Sequence, residues 1–284
     1  MTDSVCRALG IDQVDLGGKL IMIDERHGSD ANFIINTVLS KSLEQGRGIC
    51  LVLFHNTFGH YHNIGMKLGY NLTVLRERGE VTVVEPMKSI VCNIEELGHD
   101  SVDPGTSELE ERLRDTFTNN TQIPDPLKLD DNVIQHLFTS LRQQYYETKK
   151  IRDSVTIIID EITHLFDLNL SLKEVWLYTK YLRSLMESEP TLALCVMGHS
   201  YQTDADNCYP NLIVKVIRRM SHLFVITEPL KTGYANDISG NMHVQWRVAA
   251  IRKQHHWSER TTYQYKLLDR QIKLFTPGGL AISS

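Results

Sequence analysis

Six short apolar runs, separated by segments with helical periodicity, constrain the fold of this chain more than any other feature. Runs of four to six residues have the length of strands, and apolar runs without alternation are typical of strands covered on both faces. The runs are Leu20–Ile23, Ile49–Phe54, Val81–Val84, Val155–Ile159, Leu192–Met197 and Leu223–Ile226. Because such strands alternate with helices here, the sequence predicts an α/β fold with a parallel sheet.

Four segments between these runs carry apolar residues at helical spacing. They are Ile35–Leu43, Tyr61–Leu68, Ile134–Tyr145 and Leu172–Met186. Ser29 or Asp30 can cap the first helix, and Ser171 with Glu174 predicts a capping box at the start of the fourth.

The last quarter of the chain alternates instead between apolar and polar residues. The alternation covers "MHVQWRV" at Met242–Val248, followed by "TYQYKLL" and "IKLF". This pattern predicts antiparallel C-terminal strands with one solvated face. We expect four aromatic residues in this part of the chain to anchor a partner protein. They are Trp246, Trp257, Tyr263 and Tyr265.

The length of 284 residues suits one domain with a large core. The polar stretch 98–131 contains three prolines and is interpreted as a surface excursion. The sequence therefore predicts a single domain over residues 1–284. Its net charge of −5 excludes a general electrostatic attraction to nucleic acid, so any RNA contact must be local.

The expected location is inside the cell. We find no apolar leader and no run of about 18 apolar residues, so neither a signal peptide nor a membrane span is predicted. The five cysteines are scattered and form no CxxC pair, which favours a reducing compartment. Cys195 falls within an apolar run and is predicted to be a buried small residue.

The first strand, turn and helix have the order of a phosphate-binding loop but lack its chemistry. Such a loop needs glycines, a lysine for the outer phosphates and a Ser or Thr for Mg²⁺. If Gly28 is the last glycine, Ser29 replaces the lysine and Asp30 replaces the Ser or Thr. The carboxylates of Asp24, Glu25 and Asp30 would repel a phosphate by roughly 4 kcal/mol at 4 Å. This repulsion exceeds the roughly 0.3–1 kcal/mol by which a helix N-terminus favours an anion. Normal ATP binding is therefore not expected.

The run "VTIIIDE" resembles the second motif of a nucleotide site. In that motif an Asp holds Mg²⁺ and a Glu can activate water, the positions of Asp160 and Glu161. Glu85, after the third run, is a second candidate base, although strand ends often carry acids. We interpret these three acids, with Gly28, Ser29 and Asp30, as the remnant of a nucleotide site and predict no cofactor.

Histidines and cations give weaker signals. His55, His60 and His62 match no zinc spacing, so surface histidines at a helix start are predicted and no metal site. Lys215, Arg218 and Arg219 share one helical stretch and could neutralise RNA phosphates without reading bases. A solvated helix face is the alternative. A second basic cluster comprises Arg247, Arg252, Lys253, His255, His256 and Arg260.

Two stretches resemble a known family, the sixth subunit of the Elongator complex. They are Phe58–Ser89 and Thr262–Phe275. The resemblance implies a RecA-like fold without a working phosphate loop, in a heterohexameric ring with the fourth and fifth subunits. It also implies that the ring joins the remaining subunits, of which the third carries the radical and acetyl-transfer chemistry, to modify wobble uridine. The ring would bind tRNA and link nucleotide hydrolysis to tRNA release, in the cytoplasm, with the nucleus left open.

Three functions compete at this point: a non-catalytic Elongator subunit, an autonomous RecA-type nucleotide hydrolase, and a RecA-like accessory that binds DNA. The missing lysine disfavours the hydrolase, which would depend on Glu85, Asp160 and Glu161. The acidic balance disfavours the DNA accessory, as does the lack of a basic, glycine-rich loop in Gly198–Asn211.

Overall fold

Nine strands of the described chain form one sheet in the computed structural model. The structure describes residues 3–86, 133–201, 208–230, 235, 237–268 and 271–276. The strands are β1 (Leu20–Arg26), β2 (Gly48–Val52), β3 (Val81–Val84), β4 (Val155–Ile159), β5 (Ala193–Ser200), β6 (Leu223–Glu228), β7 (Gly240–Trp246), β8 (Thr261–Leu268) and β9 (Gln271–Phe275). Their order in the sheet is β3-β2-β4-β5-β1-β6-β7-β8-β9.

The first six strands are parallel and the last three are antiparallel. β1 lies between β5 and β6, with Ile21 opposite Cys195 on one side and Leu223 on the other. The antiparallel part begins where β6 pairs with β7, and β8 and β9 follow in chain order. This arrangement confirms the predicted fold class, because the fully apolar runs lie inside the parallel part and the alternating ones at its margin.

Helices cover both faces of the sheet. They are α1 (Asp3–Leu9), α2 (Asn32–Glu44), α3 (Phe58–Leu68), α4 (Leu72–Glu77), α5 (Val133–Lys149), α6 (Leu172–Ser188), α7 (Tyr209–Met220) and α8 (Ala249–His255), with a 3₁₀ helix at Ile162–Phe166. Alternate residues of β1 enter different cores: Ile21 and Ile23 pack with α1 and α2, whereas Leu20 and Met22 pack with α5, α6 and α7. The predicted capping box of Ser171 and Glu174 is confirmed at the start of α6.

The first strand and turn differ from the prediction at their junction. β1 continues to Arg26, because Asp24 and Glu25 pair with both β5 and β6 and therefore belong to the strand. α2 begins at Asn32, and neither Ser29 nor Asp30 is its N-cap, which is Ala31 without a side-chain cap bond.

The expected role of the late aromatic residues is wrong for two of the four. Trp246 and Tyr265 are 3% and 0% exposed, and Trp246 Nε1 donates a hydrogen bond to the Leu9 carbonyl at 2.8 Å. They are core residues, because the apolar face of the antiparallel strands packs under α1 and α2. Trp257 and Tyr263 pack against the same core and are half-buried.

Some predictions fall outside the structure. The excursion 98–131 lies outside the described residues, and so does 202–207 within the loop after β5. The single domain over residues 1–284 therefore stays a prediction. Among the helices that are described, none has the length and apolarity to cross a membrane.

Candidate functional site

The predicted nucleotide residues lie along the carboxyl edge of the parallel strands. Gly28, Ser29 and Asp30 follow β1, while Asp160 and Glu161 follow β4. Glu85 follows β3, which is four strand positions from β1. At about 4.8 Å per strand, this places Glu85 about 19 Å from the turn after β1. The edge thus brings the two acids of β4 near the turn but keeps Glu85 apart.

The turn after β1 is short, and oxygens of Glu25, Arg26 and Asp30 accept backbone N–H groups of the turn and of the first residue of α2. Five residues, 27–31, separate β1 from α2. The Glu25 carboxylate accepts the Ala31 N–H at 2.6 Å, and Asp30 Oδ1 accepts the Asn32 N–H at 2.9 Å. The Arg26 carbonyl accepts the Ser29 N–H at 2.9 Å. A phosphate loop directs such N–H groups at its ligand; here a carboxylate of the chain, Glu25, accepts the one of Ala31.

The side chains of the turn are also engaged within the protein. Ser29 Oγ donates to the Arg26 carbonyl at 2.7 Å and lies 2.9 Å from Thr227 Oγ1. Arg26 forms an ion pair with Glu228 at 2.7 Å, so its charge is matched. Gly28 has φ +84°, a left-handed conformation that glycine adopts without strain.

Asp160 holds the turn after β2 together. It is fully buried, and its carboxylate accepts the N–H groups of Phe54 at 2.7 Å, His55 at 3.2 Å and Asn56 at 2.7 Å. Burial raises the pKa of Asp160 above its ordinary value, and the three amide bonds act in the opposite direction. Because both carboxylate oxygens serve the backbone, this side chain has a structural role in the observed geometry.

Glu161 links β4 to β5. It is 4% exposed, caps the 3₁₀ helix through the Thr163 N–H at 3.1 Å, and accepts the His199 N–H at 3.1 Å. Burial raises the pKa of Glu161. His199 Nδ1 in turn lies 3.5 Å from Glu25, and this contact raises the pKa of His199. Glu161 and the turn are therefore connected through His199.

These contacts change the argument against a phosphate in this turn. The sequence predicts that a group of carboxylates in the turn repels a phosphate. Asp24, however, lies inside β1, is 6% exposed and accepts a hydrogen bond from Ser200 Oγ at 2.5 Å. What the structure shows instead is that Glu25 already accepts the Ala31 N–H. Sequence reasoning counted Glu25 among the repelling carboxylates but missed its bond to the Ala31 N–H, and it missed His199 altogether; their positions just after two apolar runs were the available signal.

One of the histidines predicted at the surface, His55, lies against a second histidine, His164. His55 Nδ1 and His164 Nε2 are 2.8 Å apart, with stacked rings, and His164 also contacts Asp167. Within the described ranges, no three His, Cys, Asp or Glu side chains are grouped so that they could hold a metal ion.

A basic groove, lined by residues of α7 and of the segment after β6, is a second candidate site. It has a volume of about 450 Å³. Its lining residues are Lys215, Arg218, Arg219, Gln245, Arg247, Arg252 and Glu259. The groove thus combines the predicted cations of α7 with two members of the second basic cluster.

Three arginines of this basic groove are held by contacts with the protein. Arg218 lies over the Phe224 ring at 4.5 Å, and burial lowers its pKa, with a further contribution from Arg247. Arg247 donates to the Arg218 carbonyl, and Arg252 donates to the Trp246 carbonyl at 2.7 Å. The groove therefore concentrates preorganised positive charge, offset in part by the Glu259 carboxylate, and its cations have the chemistry that a phosphate-bearing ligand needs.

The comparisons with known proteins match nearly the whole chain to one family. The family profile described as Elongation complex protein 6 matches residues 8–269. The chain belongs to this family. Relatives named Elongator complex protein 6 include those of Rattus norvegicus, 26% identical, and Danio rerio, 27% identical. The rat alignment covers 94% of this chain and 93% of the relative, and the zebrafish alignment covers 92% and 91%.

Solved structures show the same fold at low identity. The flagellar accessory protein FlaH from Methanocaldococcus jannaschii has a TM-score of 0.58 at 12% identity, covering 97% of this chain and 96% of its own. A KaiC-like protein from Pyrococcus horikoshii has a TM-score of 0.53 at 10% identity, covering 91% and 90%. These neighbours identify the fold as RecA-like, the class implied by the resemblance.

Proposed function

We propose that this chain is a non-catalytic subunit of the Elongator complex, a pseudo-ATPase that assembles with the fourth and fifth subunits into a heterohexameric ring. In this proposal the ring joins the remaining subunits, binds tRNA and supports wobble uridine modification, in the cytoplasm and with the nucleus as a second location. The observation that carries the non-catalytic role lies at the turn after β1, where the Ala31 N–H donates to the Glu25 carboxylate and the Ser29 N–H to the Arg26 carbonyl.

The occupied turn also argues against the alternative of an autonomous nucleotide hydrolase. A triphosphate would have to displace the Glu25 carboxylate, and no lysine stands at Ser29 to compensate its charge. Asp160 and Glu161, the expected Mg²⁺ ligand and base, are buried and bound to backbone N–H groups. The proposal therefore needs no nucleotide cofactor in this subunit.

ATP binding and hydrolysis by the purified chain test the non-catalytic role. We expect no saturable binding of a fluorescent ATP analogue with Mg²⁺ and no hydrolysis above a buffer blank. Glu161→Gln, which retains the side-chain shape, should leave this baseline unchanged. Hydrolysis that disappears in Glu161→Gln would establish the hydrolase instead.

Ring formation is tested by native mass spectrometry after co-expression with the fourth and fifth subunits. We expect one species whose mass contains all three chains. A monodisperse monomer that remains separate from both partners would refute the ring, whatever its nucleotide affinity.

The basic groove supports a contact with tRNA. Its cations face a common concavity, so they could neutralise neighbouring phosphates. In the assembled ring, Arg218→Glu with Arg219→Glu should weaken tRNA binding and flatten its salt dependence. The matched control is Arg7→Glu with Lys67→Glu, which makes the same charge change at exposed residues of α1 and α3.

Three outcomes are distinct in this experiment. Weaker tRNA binding by the groove variant alone supports the contact. Equal weakening in both variants would show that only net charge matters. A groove variant that no longer assembles would assign these residues to a subunit interface.

A further inference from the structure

An apolar groove lies between α6 and α7, next to the basic groove but separate from the nucleotide edge. Its volume is about 580 Å³. Leu172 and Trp176 line it from α6, and Leu212 and Val216 line it from α7. The Trp176 side chain is 42% exposed, although tryptophan buries a large apolar area when it is covered. The two helices thus present a concave apolar strip to solvent.

Cations surround this strip. Lys173, Lys215 and Arg219 line the same groove, and the Lys180 ammonium lies 5.0 Å from the centre of the Trp176 ring. No carboxylate is among its described lining residues. The nearby Glu174 carboxylate is engaged in the capping box of α6. A ligand that matches this surface therefore needs apolar side chains between negative charges.

We propose that the groove between α6 and α7 binds an amphipathic helical segment of a partner polypeptide, with apolar side chains flanked by Asp or Glu. A helix laid between two helices offers anchors at positions i, i+3, i+4 and i+7, the spacing that an apolar groove accepts. Trp176 is the central anchor, since tryptophan is enriched among residues that dominate binding energy.

A polypeptide fits this groove better than a nucleic acid does. Phosphates would find the cations, but Leu172, Leu212 and Val216 offer them no hydrogen bond. Lys215 and Arg219 line both the apolar and the basic groove. The partner segment and an RNA bound in the basic groove would therefore compete for these two cations.

The chain alone can be tested with a designed probe. The probe is a fluorescein-labelled 20-residue peptide with leucines on one helical face and glutamates elsewhere, measured by fluorescence polarisation. Trp176→Ala should weaken its binding on the order of thirtyfold, as for a dominant interface residue. The control Met66→Ala, at a side chain 55% exposed on α3, should have no effect. Lys173→Glu should weaken binding at least threefold.

Charge and pattern controls make this test decisive. The same peptide with lysines in place of glutamates should not bind, and a scrambled acidic peptide should bind far more weakly. Equal binding of all three peptides, or an equal effect of Trp176→Ala and Met66→Ala, would overturn the proposal. Circular dichroism checks that each variant retains the fold.

Cross-linking in the assembled complex identifies the occupant. With Trp176 replaced by photoreactive p-benzoylphenylalanine, we expect a cross-link to an acidic and apolar segment of another subunit, sequenced by mass spectrometry. Cross-links to RNA, to a second copy or to this chain's own residues 87–132 would overturn the proposal, as would none. The peptide assay uses the chain alone, so it fails or succeeds independently of the ring.

Discussion

Replacing Asp160 by alanine separates a structural role of this carboxylate from a catalytic one. The substitution removes the acceptor of three backbone N–H groups, at 2.7, 3.2 and 2.7 Å. The Phe54 N–H is in a buried hydrogen bond, and those of His55 and Asn56 are in partly buried ones that water can partly replace. An unsatisfied buried donor costs about 1–3 kcal/mol.

We therefore expect Asp160→Ala to lower the free energy of unfolding by about 2–6 kcal/mol, the sum of one full loss and two losses of about half that size. For a chain of 284 residues this corresponds to a melting temperature about 3–10 °C lower. Differential scanning calorimetry measures both quantities.

Asp160→Asn is the matched variant, since its amide oxygen can still accept from Phe54 and His55. We expect it to lose about 1–2 kcal/mol, because the bond to Asn56 is replaced by two facing donors. A melting temperature within 1–2 °C of the wild type in Asp160→Ala would refute the structural role. A more stable variant would indicate a functional carboxylate held at the expense of stability.

Three smaller predictions concern Glu25, Gly28 and Ser171. Glu25→Gln should lower the pKa of His199, measured by NMR titration. The Glu25 contact raises the pKa of His199 in the folded protein. The stability that this contact contributes is therefore present below about pH 6.5 and is lost as the pH rises through the folded-state pKa of His199. Glu25→Gln should accordingly lower the free energy of unfolding mainly at acid pH. Gly28→Ala should cost about 1–2 kcal/mol in urea unfolding, since φ is +84°. Ser171→Ala should cost about 0.5–2 kcal/mol by removing the capping box, and an unchanged urea midpoint would contradict its role.

The sequence was sufficient for elements whose signal is local. The fully apolar run Val155–Ile159 became β4, and the alternation around Met242 became β7, because burial on two faces or one face leaves different patterns. Ser171 and Glu174 were identified as a capping box because that motif is contained within four residues.

What the sequence could not give depends on long-range pairing. The contact of Glu25 with Ala31 depends on where β1 ends, which its pairing with β5 and β6 decides. The contact of His199 with Glu161 follows from β4 lying beside β5. The basic groove joins Arg218 to Arg247 because the antiparallel pairing of β6 and β7 returns the chain to the end of α7. Trp246 was assigned to a partner interface, since the alternation marks its strand face as apolar but does not tell whether α1 or another protein covers that face.

In the proposed ring of related chains, the Glu25 carboxylate would make the turn of this subunit behave differently from the corresponding turns of subunits that bind nucleotide. In a nucleotide-driven ring, binding and loss of a phosphate reorganise the turn after the first strand. Here the carboxylate that accepts the Ala31 N–H belongs to the chain itself, so under the proposed function the turn would keep this hydrogen bond whether or not ATP is present. The turn of such a subunit would keep one conformation while the corresponding turns of nucleotide-binding neighbours change theirs.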